Sequence, residues 1–213
     1  MRQLVRNTLR TARRGKQIQR YLSTHEVSRL QLGAGEHPHE GWLNTDLHGY
    51  GSDNELVYLD VRKRFPFPDA AFDVVFSEHM LEHLTYAEGQ GCLRECFRVL
   101  KRGGRIRIAT PSLERLAALY APDPTDVQRR YVRWAVGTLQ PETNAELPGV
   151  VLNNFFRSWG HRFIYDPQTL RHALNEVGFV DVEERPVGEL ERHLPEAPEF
   201  NEYETFVLEA RRP

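Results

Sequence analysis

The stretch Leu30-Gln31-Leu32-Gly33-Ala34-Gly35 constrains this chain more than any other. An apolar run stops abruptly at two glycines one residue apart. A buried strand turns tightly there into a loop whose backbone can lie against a ligand, because glycine lacks a Cβ and tolerates positive φ. Three further apolar runs end in polar residues: Trp42-Leu43-Asn44-Thr45-Asp46, Leu56-Val57-Tyr58-Leu59-Asp60, and Phe72-Asp73-Val74-Val75-Phe76 running into Ser77-Glu78-His79. In an open α/β sheet such strand ends line the crevice where ligands bind.

Helical patterns alternate with these runs. Residues 3–22 read as a helix with a loose apolar period. Residues 86–100 carry Ala87, Leu93, Phe97 and Leu100 on one face, and Lys101-Arg102-Gly103-Gly104 reads as the stop. Arg105-Ile106-Arg107-Ile108-Ala109-Thr110 alternates as a strand. Asp166-Pro167 opens a helix as N-cap and first helical residue, and Gly178 ends it. Phe179–Val182 and Thr205–Ala210 close the sheet, joined by a polar, proline-bearing link over 183–204. The alternation predicts an α/β, Rossmann-like doubly wound sheet, mostly parallel, with an antiparallel last strand. Residues 112–165 break the pattern: helix-like stretches at 113–121 and 125–139, a loop with Pro141 and Pro148, then dense aromatics. They read as an inserted helical lid within a domain spanning 26–213. The glycine loop leaves little room for a helix, since Pro38, Gly41 and polar residues fill 36–41.

Charge separates residues 1–25 as a basic arm. All 30 acidic residues lie beyond residue 20, whereas Arg2, Arg6, Arg10, Arg13, Arg14, Lys16 and Arg20 crowd before it. Such an arm can make weak contact with an anionic membrane surface, and the acidic body argues against broad nucleic-acid binding. Mean hydropathy of −0.57 and the lack of a long apolar run exclude a membrane-spanning helix. Two cysteines make no disulfide framework, and Cys92 and Cys96, four apart on a helix, read as core; a cytoplasmic setting is expected.

Three motifs resemble the class I S-adenosylmethionine-dependent methyltransferases: Leu32-Gly33-Ala34-Gly35, the run from Phe72 to Leu84, and Arg98-Val99-Leu100-Lys101-Arg102-Gly103-Gly104-Arg105-Ile106-Arg107-Ile108. Gly41-Trp42-Leu43-Asn44-Thr45-Asp46 and Trp159-Gly160-His161-Arg162-Phe163-Ile164-Tyr165-Asp166 resemble a small bacterial subgroup often linked to surface-polysaccharide biosynthesis. The resemblance covers about residues 28–210. It departs from the family where His37 stands in place of a third glycine and Arg102 in place of a proline. It implies S-adenosyl-L-methionine as cofactor and methyl transfer to O or N of a small-molecule acceptor, such as a sugar or glycan. A catalytically silent binding module on the same fold is the alternative. A dehydrogenase would need a third loop glycine at the position of Pro38.

On this reading Gly33, Ala34 and Gly35 meet the cofactor's amino-acid tail. Asp46, beside Leu47, accepts from the ribose, with a turn-starting Asp as its alternative. Asp60 accepts from the adenine amine while the Val61 backbone meets the ring; again a turn is the alternative. Ser77 and Glu78 sit nearest the methyl group. A hydroxyl nucleophile is helped by a base, and His79, then His161, are the candidates. Glu78-His79 and Glu82-His83 repeat at a spacing that one helical face would stack; His83 reads as structural. His79 and His83, four apart, can share a metal, and Glu78 or Glu82 can add a carboxylate, but the pattern is not H-E-x-x-H and no third ligand is placed by sequence, so no metal is expected. Arg157, Trp159, Arg162 and Tyr165 either line an acceptor pocket or pack the lid onto the sheet.

Overall fold

The computed structural model describes residues 2–48, 56–143, 145–188, 200 and 203–213. Helix α1 (Arg2–Thr24) precedes strands β1 (Arg29–Leu32), β2 (Leu43–Asp46), β3 (Val57–Tyr58) and β4 (Phe72–Glu78). Then come α2 (Tyr86–Val99), β5 (Leu100–Pro111), α3 (Leu113–Ala117), α4 (Asp126–Leu139), α5 (Pro148–Arg157), α6 (Pro167–Val177), β6 (Val180–Arg185) and β7 (Thr205–Arg211). One seven-stranded sheet results, in the order β3-β2-β1-β4-β5-β7-β6. Strands β1 to β5 pair in parallel, and β7 is antiparallel to both neighbours. The Rossmann-like architecture with an antiparallel last strand is as expected.

Leu30, Val75 and Ile106 stand side by side in register and are buried. Leu93 and Cys96 of α2, and Leu170 and Leu174 of α6, join the same core, as do Ile18 and Tyr21 of α1. The second half of α1 is thus docked on the body. The Tyr21 hydroxyl accepts from the Arg29 amide at 2.9 Å and lies within 3.1 Å of the Arg29 and Gly41 carbonyl oxygens. Both cysteines are buried in the core.

Parallel neighbours are usually joined by a helix, yet residues 33–42 link β1 to β2 without one. Two buried side chains hold this link instead. Gln31 donates to the His37 carbonyl at 3.1 Å and accepts from the His39 amide at 3.1 Å. Asn44 accepts from the same amide at 3.0 Å and donates to the His39 carbonyl at 2.8 Å. The rings of His39 and Trp42 then cover Phe76 on the sheet.

Three local expectations are corrected. Helix α2 ends at Val99, because Leu100 is extended and buried and already starts β5; Gly103, at φ +79°, turns the chain inside that strand. Pro148 does not lie in a loop but opens α5 as a first-turn residue. Glu78 and Glu82 do not share a helix face: β4 runs through Glu78, His79 breaks it at φ +44°, and only Leu81–His83 forms a short 3-10 turn. Residues 113–164 build a second core from Leu116, Tyr131, Val136, Val151 and Phe155, which Phe200 joins from the link before β7. Most of that link, residues 189–199 and 201–202, lies outside the described residues. No described helix is long and apolar enough to cross a membrane.

Candidate functional site

A cleft of about 410 Å³ opens where β1, β2, β3 and β4 end. Gly33 and Gly35 form one wall, Asp46, Leu47 and His48 the next, and Leu59 to Arg62 the third. Glu78, His79, Met80, His83 and Leu84 form the floor and far side, and Trp159 of the insertion reaches the rim. Seven of the sequence-selected cofactor residues therefore meet in one place: Gly33, Gly35, Asp46, Leu47, Asp60, Val61 and Glu78. Ala34 and Ser77 do not line the cleft. Both are buried, and the Ser77 hydroxyl has no hydrogen-bond partner.

The glycine loop owes its shape to its backbone. Gly33 and Gly35 have φ of +67° and +56°. A Cβ on Gly33 would lie 2.5 Å from the Met80 Cγ, whereas one on Gly35 would meet nothing within 4 Å among the described residues. The Gly35 amide donates to Asp46 Oδ2 at 3.0 Å, and the His48 amide to Oδ1 at 2.6 Å. Asp46 thereby ties the glycine loop to the chain after β2.

Asp60 is also nearly buried, but its partner is charged. Arg62 forks onto it, Nε to Oδ1 at 2.8 Å and NH2 to Oδ2 at 3.0 Å. The guanidinium holds the carboxyl below its usual range. The Arg62 amide donates to Oδ1 and the Lys63 amide to the Asp60 carbonyl, so Asp60 both closes a turn and faces the cleft. Sequence reasoning missed Arg62; its place two residues after Asp60 was the available signal.

His79 is a third exposed, and its left-handed backbone turns the ring back toward β7. Nε2 lies 2.9 Å from Thr205 Oγ1, and Nδ1 lies 3.3 Å from Glu82 Oε1. Burial pushes the imidazole down, but Glu82 outweighs it and carries His79 above its ordinary value. For Glu82, fully buried, burial pushes up and His79 pulls the net value below the usual range. Thr110 Oγ1 donates to Glu82 Oε2 at 3.1 Å. His161 does not line the cleft; its Nδ1 is held by the Phe155 carbonyl at 2.7 Å, and burial lowers its pKa. Of the four aromatic and arginine candidates, only Trp159, half exposed at φ +56°, lines the cleft. Tyr165 is fully buried, and Arg162 pairs with Glu88 at 2.7 Å.

Residues 41–108 match a family model described as a methyltransferase domain. The whole fold is similar to that of a SAM-dependent methyltransferase from Archaeoglobus fulgidus, with a TM-score of 0.54 at 17% identity, over 97% of this chain and 94% of that one. It is also similar to an S-adenosylmethionine-dependent methyltransferase from Mesorhizobium loti, with a TM-score of 0.55 at 19% identity, over 87% and 91% of the two chains.

Proposed function

We propose that this chain is an S-adenosylmethionine-dependent methyltransferase that transfers the methyl group to an oxygen or nitrogen of a small-molecule acceptor, with a sugar or glycan hydroxyl as the favoured target; the methyltransferase-domain match and the shared fold support this reading. The observation that carries this reading is the convergence of the two glycines, two nearly buried acids and the β4 end on one cleft.

The residues suit the cofactor. The volume is that of a small-molecule site. Gly35 leaves open space where any side chain would stand, which suits close approach by the amino-acid tail. Asp46 ends β2 and Asp60 stands two residues after β3, both as acceptors, the donor–acceptor chemistry that a ribose diol and an adenine amine require. Asp60 takes a ligand donor in competition with Arg62, whose side chain is about half exposed at 45% and has room to swing outward. Leu47 and Val61 flank the two acids with apolar surface. When bound, the cofactor supplies an electrophilic methyl group on a sulfonium centre.

Methyl transfer is an in-line displacement, so the protein's contribution is mainly positioning and exclusion of water. His79 is the proposed base for a hydroxyl acceptor. Its Nδ1 faces Glu82, which fixes the ring, and its Nε2, now on the Thr205 hydroxyl, is the nitrogen that would take the proton. The exposed Trp159 ring at the rim favours a sugar, whose C–H faces stack on aromatic surfaces.

Calorimetry with S-adenosylmethionine and S-adenosylhomocysteine tests the cofactor assignment. Micromolar one-to-one binding is expected; absence of binding up to millimolar ligand would overturn it. With an acceptor in hand, His79→Ala is expected to lower kcat by about 10²- to 10⁴-fold. Full turnover in that variant rejects His79 as the base.

A further inference from the structure

The fold joins three groups that the chain keeps apart. Glu82 and His83 lie in the 3-10 turn after β4, and His161 comes from the link between α5 and α6. One ligating atom from each, a carboxylate oxygen and two imidazole nitrogens, lies within 4.8 Å of the other two. Sequence spacing supplied only two members of this set; the third arrives through tertiary contact. The Arg162 and Phe163 amides donate to the Glu82 carbonyl at 2.8 and 3.1 Å, which pins the His161 segment against the turn.

The environment of each group points to a ligand. Glu82 is fully buried, and its Oε1 has one charged neighbour among the described residues outside the cluster, His79 Nδ1 at 3.3 Å. Thr110 Oγ1 donates to Oε2, which fixes the carboxylate plane, and one carboxylate oxygen lies within 4.8 Å of both cluster imidazoles. A fully buried carboxylate needs compensating positive charge, and a cation held beside it supplies that charge together with His79. His161 places Nδ1 on the Phe155 carbonyl, so Nδ1 carries the proton and Nε2 presents its lone pair. Ligating histidines are commonly oriented in this way, by a carbonyl on the second ring nitrogen. The His83 and His161 rings meet edge to face, their centroids 4.9 Å apart.

We propose that Glu82, His83 and His161 bind a first-row divalent cation such as Zn²⁺ or Mn²⁺. Two imidazoles and one carboxylate are a sufficient protein ligand set for such an ion and leave positions open. With bonds of ~2.0–2.1 Å, a tetrahedral ion holds its ligand atoms about 3.4 Å apart. Closing the cluster by about an ångström, within the reach of side-chain rotation, completes the site. His83 lines the cleft, so the open positions face the place where the acceptor is proposed to bind. There the ion would take an acceptor oxygen and polarise it toward attack. That last step rests on the methyl-transfer reading; the cation site does not.

The test uses untagged protein stripped with EDTA and titrated with Co²⁺, followed by visible absorption, with Zn²⁺ as competitor. One Co²⁺ per chain is expected, with the ligand-field bands of a nitrogen–oxygen site, displaced by Zn²⁺. His161→Ala and His83→Asn, each checked for folding by circular dichroism, are expected to weaken binding by at least about 100-fold, since losing even an outer partner costs ~10- to 100-fold. No saturable Co²⁺ binding, or equal affinity in the folded variants, would overturn the proposal. S-adenosylhomocysteine binding is measured on the same stripped protein. S-adenosylhomocysteine binding with no saturable Co²⁺ binding removes the cation site and leaves the cofactor assignment standing; saturable Co²⁺ binding with no S-adenosylhomocysteine binding does the reverse.

Discussion

Asp46 and Asp60 look alike in the sequence, each closing an apolar run, but the structure gives them different partners. Asp46 is held by two backbone amides and Asp60 by a guanidinium fork. Removing either acid is expected to weaken S-adenosylhomocysteine binding by about 1–3 kcal/mol, roughly 5- to 150-fold. Arg62→Ala should instead tighten it, because the guanidinium competes for Asp60; weaker binding by calorimetry would show that the ligand needs the pair intact. Gly33→Ala forces a positive φ and a clash with Met80 at once, and should destabilise the protein by about 1–3 kcal/mol in denaturant titrations. Adding Met80→Ala should recover only the steric part. The acids and glycines were legible because strand ends are local features. The meeting of His161 with Glu82 and His83 was not, because no local rule sets which loop the insertion lays over β4.

Among the elements, local capping signals were the reliable ones. Asp166 with Pro167 opens α6 as read from the sequence, and the structure adds a reciprocal box of Thr85 and Glu88 at the start of α2. Helix α5 escaped notice because Leu147 offers no side-chain cap before Pro148, so the proline read as a break. The end of α2 was misplaced because burial of Leu100 in the sheet overrides the glycine signal three residues on. The last turn of α2 has a second task. Arg98 donates to the Phe65 and Phe67 carbonyl oxygens at 3.1 and 3.0 Å and pairs with Glu95 and Asp69, each at 2.6 Å. Glu95 in turn accepts from the Phe65 amide at 2.7 Å. This clamp fixes the link from β3 to β4, in which no helix forms. Arg98→Ala should cost about 1–3 kcal/mol, read from denaturant unfolding. Arg98→Lys should rescue little, since an ammonium cannot fork across several acceptors.

For the molecule as a whole, acid is the informative perturbation. Arg62 lowers Asp60, and Arg98 lowers Glu95. Asp73 is raised by burial but lowered further by Lys101 and the Ser28 amide, for a net value below normal. A carboxyl whose folded pKa lies below its unfolded one stabilises fully above the unfolded value, about 4. That stability is lost as pH falls through the folded value. Stability should therefore hold from neutral pH to about 5 and decline below. Asp73→Asn should unfold at lower denaturant than the parent at pH 7, with the gap closing in acid; a constant gap would assign the loss to packing instead. The mostly parallel sheet with its antiparallel last strand follows from strand alternation and could be read in advance; the order of its strands was not read. The second core of the insertion could not, because its partners, Tyr131, Phe155 and Phe200, lie far apart in the chain.

The two side-chain amides that replace a helix after β1 have a kinetic consequence. Gln31 on β1 and Asn44 on β2 tie this link to two inner strands of the sheet, so the wall formed by the glycine loop should open only when those strands part. Ligand traffic then falls to the rim, where Trp159 stands half exposed on a short link outside any helix or strand. Hydrogen exchange should show this asymmetry: slow amides at Ala34, His37 and His39, protected nearly to the level of global unfolding, facing fast ones around Trp159 and Gly160. The site would be a jaw with one fixed side, and the rate at which product leaves would be set by the insertion alone.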